Sequence, residues 1–251
     1  MLKPIEFKRR LDGKSQSLLL ACSDKKEYVV KDRLPGFEKS LANEWVGYCI
    51  GRFLGLPIPF AKIVEMPPDF LADYPELADR PYCKHQFASL YEPACQNGHE
   101  VGKIEAISNA ASLAGIIVLD YWLCNRDRTR KNILFQQEDS AYRVIVMDYA
   151  EIFNSYNWQK EELKKLPTGI LKSATHQLMH SFVPNQQLYE EFLQTIQAMP
   201  IHLLKEIIAS IPDDWQVSEE EKKEIVKTLI KRREKLPQMI ERFIKNSEVG
   251  K

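Results

Sequence analysis

Hydrophobic and polar positions follow one pattern up to about residue 100 and another beyond it. Ser17–Cys22 is a short apolar run and Tyr28–Lys31 a β-branched one, and the polar Asp24–Glu27 between them makes the pair a predicted β-hairpin. Pro35-Gly36 marks a loop. From Ser40 to Leu54, apolar side chains recur at Leu41, Trp45, Tyr48, Ile50, Phe53 and Leu54, roughly a helical period, and Gly55 is placed to end that helix in a left-handed turn. Pro57 and Pro59 enforce an extended exit into a second strand region, Phe60–Glu65. Pro67–Pro81, rich in proline and acidic residues, reads as a surface loop with a short helical turn, and Tyr82–Phe87 as a further strand.

Beyond that point the pattern turns helical. Lys103–Cys124 is apolar or small nearly all round, the signature of a core helix. Asn132–Phe135, a charged turn and Tyr142–Met147 make a second hairpin, which ends at Asp148. The remainder is helical, and the last helix has a capping box in Ser218 and Glu221, with Glu219 and Glu220 favourable in its first turn. No internal repeat or low-complexity tract interrupts the chain. The expected fold class is therefore α+β and bilobal: a small β-rich lobe with one helix over residues 1–88, then a larger, mostly helical lobe over residues 89–251.

Composition narrows the function classes. Acidic and basic residues balance at 35 each, which removes the main argument for a general binder of nucleic acid or acidic membranes. The five cysteines are scattered with no C-x-x-C pair and read as reduced thiols of a cytoplasmic protein. Met1–Arg10 is charged and lacks the apolar core of a signal peptide, and Ala110–Leu123 is too short to span a bilayer. His176 and His180 have metal-pair spacing, but Gln177 stands where H-E-x-x-H needs Glu, and no third ligand presents itself. No G-x-S-x-G elbow supports a serine hydrolase.

What remains is a set of charged residues in an unusual order. Phosphoryl transfer needs a cation on nucleotide phosphates, carboxylate or amide ligands for Mg²⁺, and a carboxylate near the attacking hydroxyl. Lys31 ends a β-branched strand, where its ammonium can reach phosphate oxygens; Glu44, on the following helix beside the apolar stripe, is its natural partner. Singly, these are an ordinary strand-end lysine and helix glutamate; together they carry more. Asp127 lies five residues ahead of Asn132, between an apolar helix and an apolar strand, the spacing of a kinase catalytic loop. Asp127 would orient or deprotonate the acceptor, and Asn132 would ligate Mg²⁺. Asp148 closes an apolar strand, a costly place for a carboxylate unless it is paired or binds a metal. Leu11–Ser17, containing Gly13 and Ser15, offers a weaker candidate for a phosphate-facing loop, since it fits neither glycine-rich consensus.

Tyr28-Val29-Val30-Lys31, Asn43-Glu44, Leu54-Gly55-Leu56-Pro57-Ile58-Pro59, the Asp127-Arg128…Asn132 loop and Asp148 together resemble the HipA-like kinases over about Leu11–Phe153. The resemblance implies a bilobal protein-kinase-like fold, ATP and Mg²⁺, and, in the best-known members, Ser/Thr phosphorylation and an antitoxin partner. Carried over position by position, it implies Lys31 and Asp127 as catalytic residues, with Lys31, Glu44, Gly13 and Ser15 around the nucleotide. It further implies Asn132 and Asp148 on the metal, and Gln86 and Phe87 near the hinge that holds adenine. Thr129 stands where the family loop often has His, and Tyr149-Ala150 replaces the usual residues after the metal Asp. The chain looks like a compact version without the amino-terminal subdomain of the longest members. Three functions share this residue set: a protein kinase, which could phosphorylate its own Ser15/Ser17 loop; a small-molecule or lipid-headgroup kinase; and an inert pseudokinase acting through its long last helix.

Overall fold

The computed structural model describes residues 2–249. The chain opens with strands β1 (Pro4–Arg10), β2 (Leu18–Cys22) and β3 (Glu27–Lys31), then helix α1 (Ser40–Phe53), β4 (Ala61–Glu65), a short α2 (Pro68–Ala72) and β5 (His85–Leu90). The five strands form one antiparallel sheet in the order β1-β2-β3-β5-β4. The expected hairpin is β2–β3, with Leu18 opposite Val30 and Leu20 opposite Tyr28. These four side chains share a face with Ala88 and Val64.

Two expectations change here. Pro67–Pro81 is more than a surface loop: Phe70 and Leu77 are buried and close that face of the sheet, apolar anchors hidden in a Pro- and acid-rich composition. β1 went unforeseen because Ile5-Glu6-Phe7-Lys8-Arg9-Arg10 is mostly charged; it is an edge strand, where charge is tolerated and discourages further pairing.

The opposite face carries Phe87, whose ring meets Tyr48 of α1 at 6.4 Å. The helix ends as the Gly55 signal indicated: Gly55 has φ +70°, its N–H donates to Arg52 O and the Leu56 N–H to Gly51 O, both at 3.0 Å.

The second lobe comprises β6 (Cys95–Asn97), α3 (Ala111–Leu123), β7 (Ile133–Glu138), β8 (Ala141–Val146), α4 (Lys160–Leu163), α5 (Ala174–Phe182), α6 (Gln187–Ala198), α7 (Ile201–Ala209) and α8 (Glu219–Val249). α3 is the axis, buried from Leu113 to Leu123 and packed by α5, α6 and α8. It starts at Ala111 rather than Lys103, because the preceding residues pair alongside β8. Tyr142 N donates to Ala106 O, Ser108 N donates to Tyr142 O, and the Asn109 side chain bonds Val144 through both its N–H and its carbonyl. Local helical spacing there yields to the open strand edge.

The lobes are fastened behind the sheet. His85 Nδ1 lies 2.8 Å from Asp214 Oδ1, and Trp215 Nε1 donates to His85 O at 2.6 Å. Ser218 and Glu221 form the expected capping box of α8, and Glu221 also accepts from Lys39 at 2.8 Å, tying α8 to the entry of α1. No helix among the described residues is long and apolar enough to cross a membrane.

Candidate active site

Lys31 is the last residue of β3. Its pairing with Phe87 turns its side chain to the α1 face of the sheet, and Glu44 meets it from α1. Lys31 Nζ donates to Glu44 Oε1 and, at 3.0 Å, to Asp148 Oδ1. The other oxygen of Glu44 accepts from Tyr149 N at 3.0 Å, so one buried glutamate joins the strand lysine to the segment leaving β8. Burial opposes charge on all three groups. At Lys31 the two carboxylates outweigh it and hold the ammonium above its ordinary range. At Asp148 it is outweighed by Lys31, and the carboxyl is held low. At Glu44 burial wins, and the carboxyl is raised. Asp148 keeps 35% of its side chain exposed, so it can reach a ligand while still bonded to Lys31.

The loop between α3 and β7 brings Asp127 and Asn132 together. Asn132 Nδ2 donates to Asp127 O at 2.6 Å, which leaves the amide oxygen as the free end of that side chain. Asn132 O accepts from Met147 N at 3.1 Å, placing the loop directly beside the residue before Asp148.

Four residues outside the expected set build this geometry. Asp120, fully buried on α3, takes Arg128 Nε at 2.8 Å and Nη2 at 3.1 Å, Asn125 Nδ2 at 2.8 Å, and lies 2.9 Å from His176 Nε2. Burial alone would raise its carboxyl, but Arg128 and His176 outweigh that and hold it at about 2. Arg128 then extends to Met147 O at 2.6 Å and stacks over the Tyr149 ring, while Asn125 Oδ1 accepts from Asp127 N at 3.2 Å. One carboxylate therefore positions both the Asp127 loop and the strand that delivers Asp148. A lone Asp inside an apolar helix was the available signal, since it needs a partner. His176 serves Asp120, whereas His180 lies 2.8 Å from Tyr189 Oη, so each ring has a partner of its own in the fold.

Asn43 and Gly47 complete the α1 side. Asn43 Nδ2 donates to Ala150 O at 2.6 Å and Ser155 O at 3.0 Å, while Oδ1 accepts from Trp158 Nε1 at 2.8 Å. Gly47 lets the Tyr149 ring lie against the helix: a Cβ there would come 2.4 Å from Tyr149 Cγ. The turn after β8 needs no glycine at Ala150, because the left-handed residue is Asp148 itself, at φ +63°, a conformation Asp tolerates better than most.

The remaining expected residues are placed differently. Leu11–Ser17 joins β1 to β2 at the same end of the sheet as Lys31. Gly13 adopts φ +134°, and Ser15 Oγ lies 2.9 Å from Ser17 Oγ. Its outward anchor is Arg80, which donates to Gln16 O, and among the described residues no hydrogen bond joins it to the charged cluster. Gln86 and Phe87 lie within β5. β5 is flanked by β3 and β4, so its backbone at these residues is committed to ladders. Gln86 also points to the face opposite Lys31, and Phe87 is packed on Tyr48. The chain leaves the sheet only after Leu90.

Comparison with known proteins bears on the whole chain. A family model described as HipA-like kinase matches residues 5–246. No curated protein matches. Among solved structures, the Helicobacter pylori proinflammatory kinase CtkA aligns with a TM-score of 0.63 at 15% identity, over 93% of this chain and 94% of that one. A Golgi casein kinase with Mn/ADP bound aligns with a TM-score of 0.50 at 14% identity, over 94% and 73% respectively. At such identities the likeness is one of fold, and it is a kinase fold in both cases. With the family model spanning nearly the full length, the chain belongs to the HipA-like kinase family and is a phosphotransferase.

Proposed function

We propose that the chain transfers the γ-phosphoryl group of ATP, with Mg²⁺, to a Ser or Thr hydroxyl of a protein. The observation that carries this reading is the ion cluster of Lys31, Glu44 and Asp148, drawn from a strand, a helix and a second sheet. In this arrangement the Lys31 ammonium neutralises α- and β-phosphate oxygens, and Glu44 holds it in place. From Tyr28 to Lys31 the strand runs about 10 Å, comparable to the reach of a nucleoside diphosphate. The adenine then falls under the exit from the sheet at Tyr91–Ala94, and the Gly13–Ser15 loop covers the phosphates.

Asp148 and the Asn132 amide oxygen are hard donors of the kind Mg²⁺ takes in small number alongside substrate phosphates. Among the described residues no three His, Cys, Asp or Glu side chains gather to hold an ion. Asp148 and Asn132 would hold a divalent cation together with nucleotide oxygens. When bound, it supplies charge neutralisation on the β- and γ-phosphates. The acceptor oxygen forms its bond to the γ-phosphorus, and the bond to the bridging oxygen breaks with its electron pair leaving on ADP. Asp127, half-exposed at the loop tip, aligns the hydroxyl and takes its proton.

The test is incubation with γ-labelled ATP and Mg²⁺, with analysis of protein-bound label. Label on Ser or Thr of the chain or of added proteins, lost in Asp127→Asn, is expected. Label passing only to small alcohols would replace the protein acceptor with a small-molecule one, and nucleotide bound without any transfer would leave an inert binding module.

A further inference from the structure

The chain is neutral overall, but its charges are segregated around Asp127. From Tyr121 to Gln137 the one acidic residue is Asp127 itself, among Arg126, Arg128, Arg130 and Lys131. From Leu163 to Tyr189 there is no Asp or Glu, while Lys164, Lys165 and Lys172 occur. The fold brings the two stretches together. Ser173 Oγ donates to Arg128 O at 3.0 Å, one residue from Asp127. Arg232 holds Pro167 O at 2.7 Å through Nη1 and Tyr121 O at 2.6 Å through Nη2, fastening the second stretch to the end of α3 just ahead of the loop. On the other side, Arg126 Nη1 donates to Asn154 Oδ1 at 2.9 Å.

Whether this is an ordinary solvated face depends on how its charges are used. Arg128 is spent on Asp120, Arg130 donates to Val101 O, and Lys164 lies 3.5 Å from Glu161. Arg126, Lys131, Lys165 and Lys172 are exposed, and none forms an ion pair among the described residues. The neighbouring acids, by contrast, are committed. Glu162 accepts from Gln159 N at 2.7 Å, and Glu161 lies 3.5 Å from Lys164. Four cations outside any ion pair among the described residues thus lie on the two stretches that meet beside Asp127. Like charges gathered this way repel one another and favour an anionic partner, whose encounter they steer.

We propose that this face binds an acidic protein segment, so that the acceptor Ser or Thr is flanked by Asp or Glu. Lys165 and Lys172 contact the segment on one side of Asp127, and Arg126 and Lys131 on the other. The inference rests on the protein-acceptor reading above and names the class of acceptor. Ile170, 40% exposed between the two lysines, adds an apolar contact at the same place. The cations also offset the repulsion that Asp127 and Asp148 would exert on an acidic chain.

The experiment uses fluorescein-labelled peptides carrying one Ser among Glu, Ala or Lys residues. Binding to the full chain is followed by anisotropy, and the same peptides serve as acceptors with labelled ATP. The key variant is the double substitution Lys165→Glu and Lys172→Glu, at two exposed positions outside the nucleotide cluster. The Glu peptide should bind about tenfold tighter than the Ala peptide at low salt, with the gap closing at high salt. The double variant should lose that preference and keep wild-type nucleotide affinity. Equal binding of Glu and Ala peptides, or a preference that survives charge reversal, overturns the proposal. A Glu peptide that binds as expected but never accepts phosphate leaves this face standing and overturns the protein-acceptor reading. Transfer to all peptides without charge preference does the reverse. Phosphatidylserine vesicles bound through the same lysines, with every peptide ignored, would overturn the acidic-segment assignment in favour of a membrane surface.

Discussion

Gly47→Ala isolates the link between helix packing and catalysis. The added methyl would sit 2.4 Å from Tyr149 Cγ, 2.5 Å from its Cβ and 2.8 Å from its Cδ1, so the ring must retreat by about 1 Å to reach ordinary contact. Tyr149 cannot retreat alone: its N–H is bonded to Glu44 and its ring lies under Arg128. Overpacking costs about 1–3 kcal/mol, and the better helix propensity of alanine returns up to about 1 kcal/mol. The net loss, about 0–3 kcal/mol, corresponds to a fall in Tm of at most about 12 °C for a chain of this size. Catalysis should suffer far more, because a misplacement of about 1 Å costs on the order of 100-fold. The control is Gly51→Ala, one turn on, where the new methyl meets the flexible end of Ile58 and no site residue. Thermal melts and kcat/KM from labelled-phosphate transfer decide the matter. A Gly47→Ala enzyme within twofold of wild type, or a Gly51→Ala enzyme equally impaired, would refute the coupling.

Two further outcomes follow from the site geometry. Asp127→Asn should lower kcat by about 100-fold or more while leaving Tm and nucleotide affinity at wild-type values, since general-base contributions are of that size and Asp127 makes no contact with the Lys31 cluster; calorimetric titration with ADP checks the second half. Asp120 links stability to acid: its carboxyl, held at about 2 in the fold, contributes stability above its ordinary range near 4 and loses it as pH falls through about 2. The contribution is about 2 kcal/mol, so in denaturant melts between pH 5 and pH 2 wild type should lose that much more stability than Asp120→Asn, and parallel profiles would count against it.

Lys31, Glu44, Asp127, Asn132 and Asp148 could be picked out because each breaks a local pattern, as charge at the end of an apolar strand or polarity between core elements. The hairpins, α1 and the cap of α8 were legible for the same local reason. What escaped was non-local. Asp120 and His176 are 56 residues apart in sequence, and nothing near either names the other. Asn43 reads as a helix-surface amide until the segment at Ala150–Trp158 folds over it. That Gln86 and Phe87 lie inside the sheet is not legible either, because strand order is not written in the strand. α3 was drawn too long because helical spacing does not reveal an open strand edge waiting alongside.

The buried pair of Asp120 and Arg128 poses a sharper question, because burying charge is a poor way to gain stability. Both side chains are 0% exposed, and desolvation can exceed the Coulombic gain of such a pair. Removing one partner strands the other charge and should cost about 3–5 kcal/mol. Replacing both, as Asp120→Leu with Arg128→Met, removes both charges and should cost less than either single change, the remaining loss coming from Asn125 and His176, which are left without their buried acceptor. What packing cannot replace is direction. Arg128 reaches Met147 O and Asn132 O, and Asn125 passes the same register to Asp127 N. The double variant should therefore melt closer to wild type than either single variant and yet transfer phosphate at least tenfold more slowly. If it melted and reacted like wild type, the pair would be a dispensable core contact. If it failed to fold while each single variant folded, the pair would serve stability, and its role in aligning the loop with Asp148 would fall.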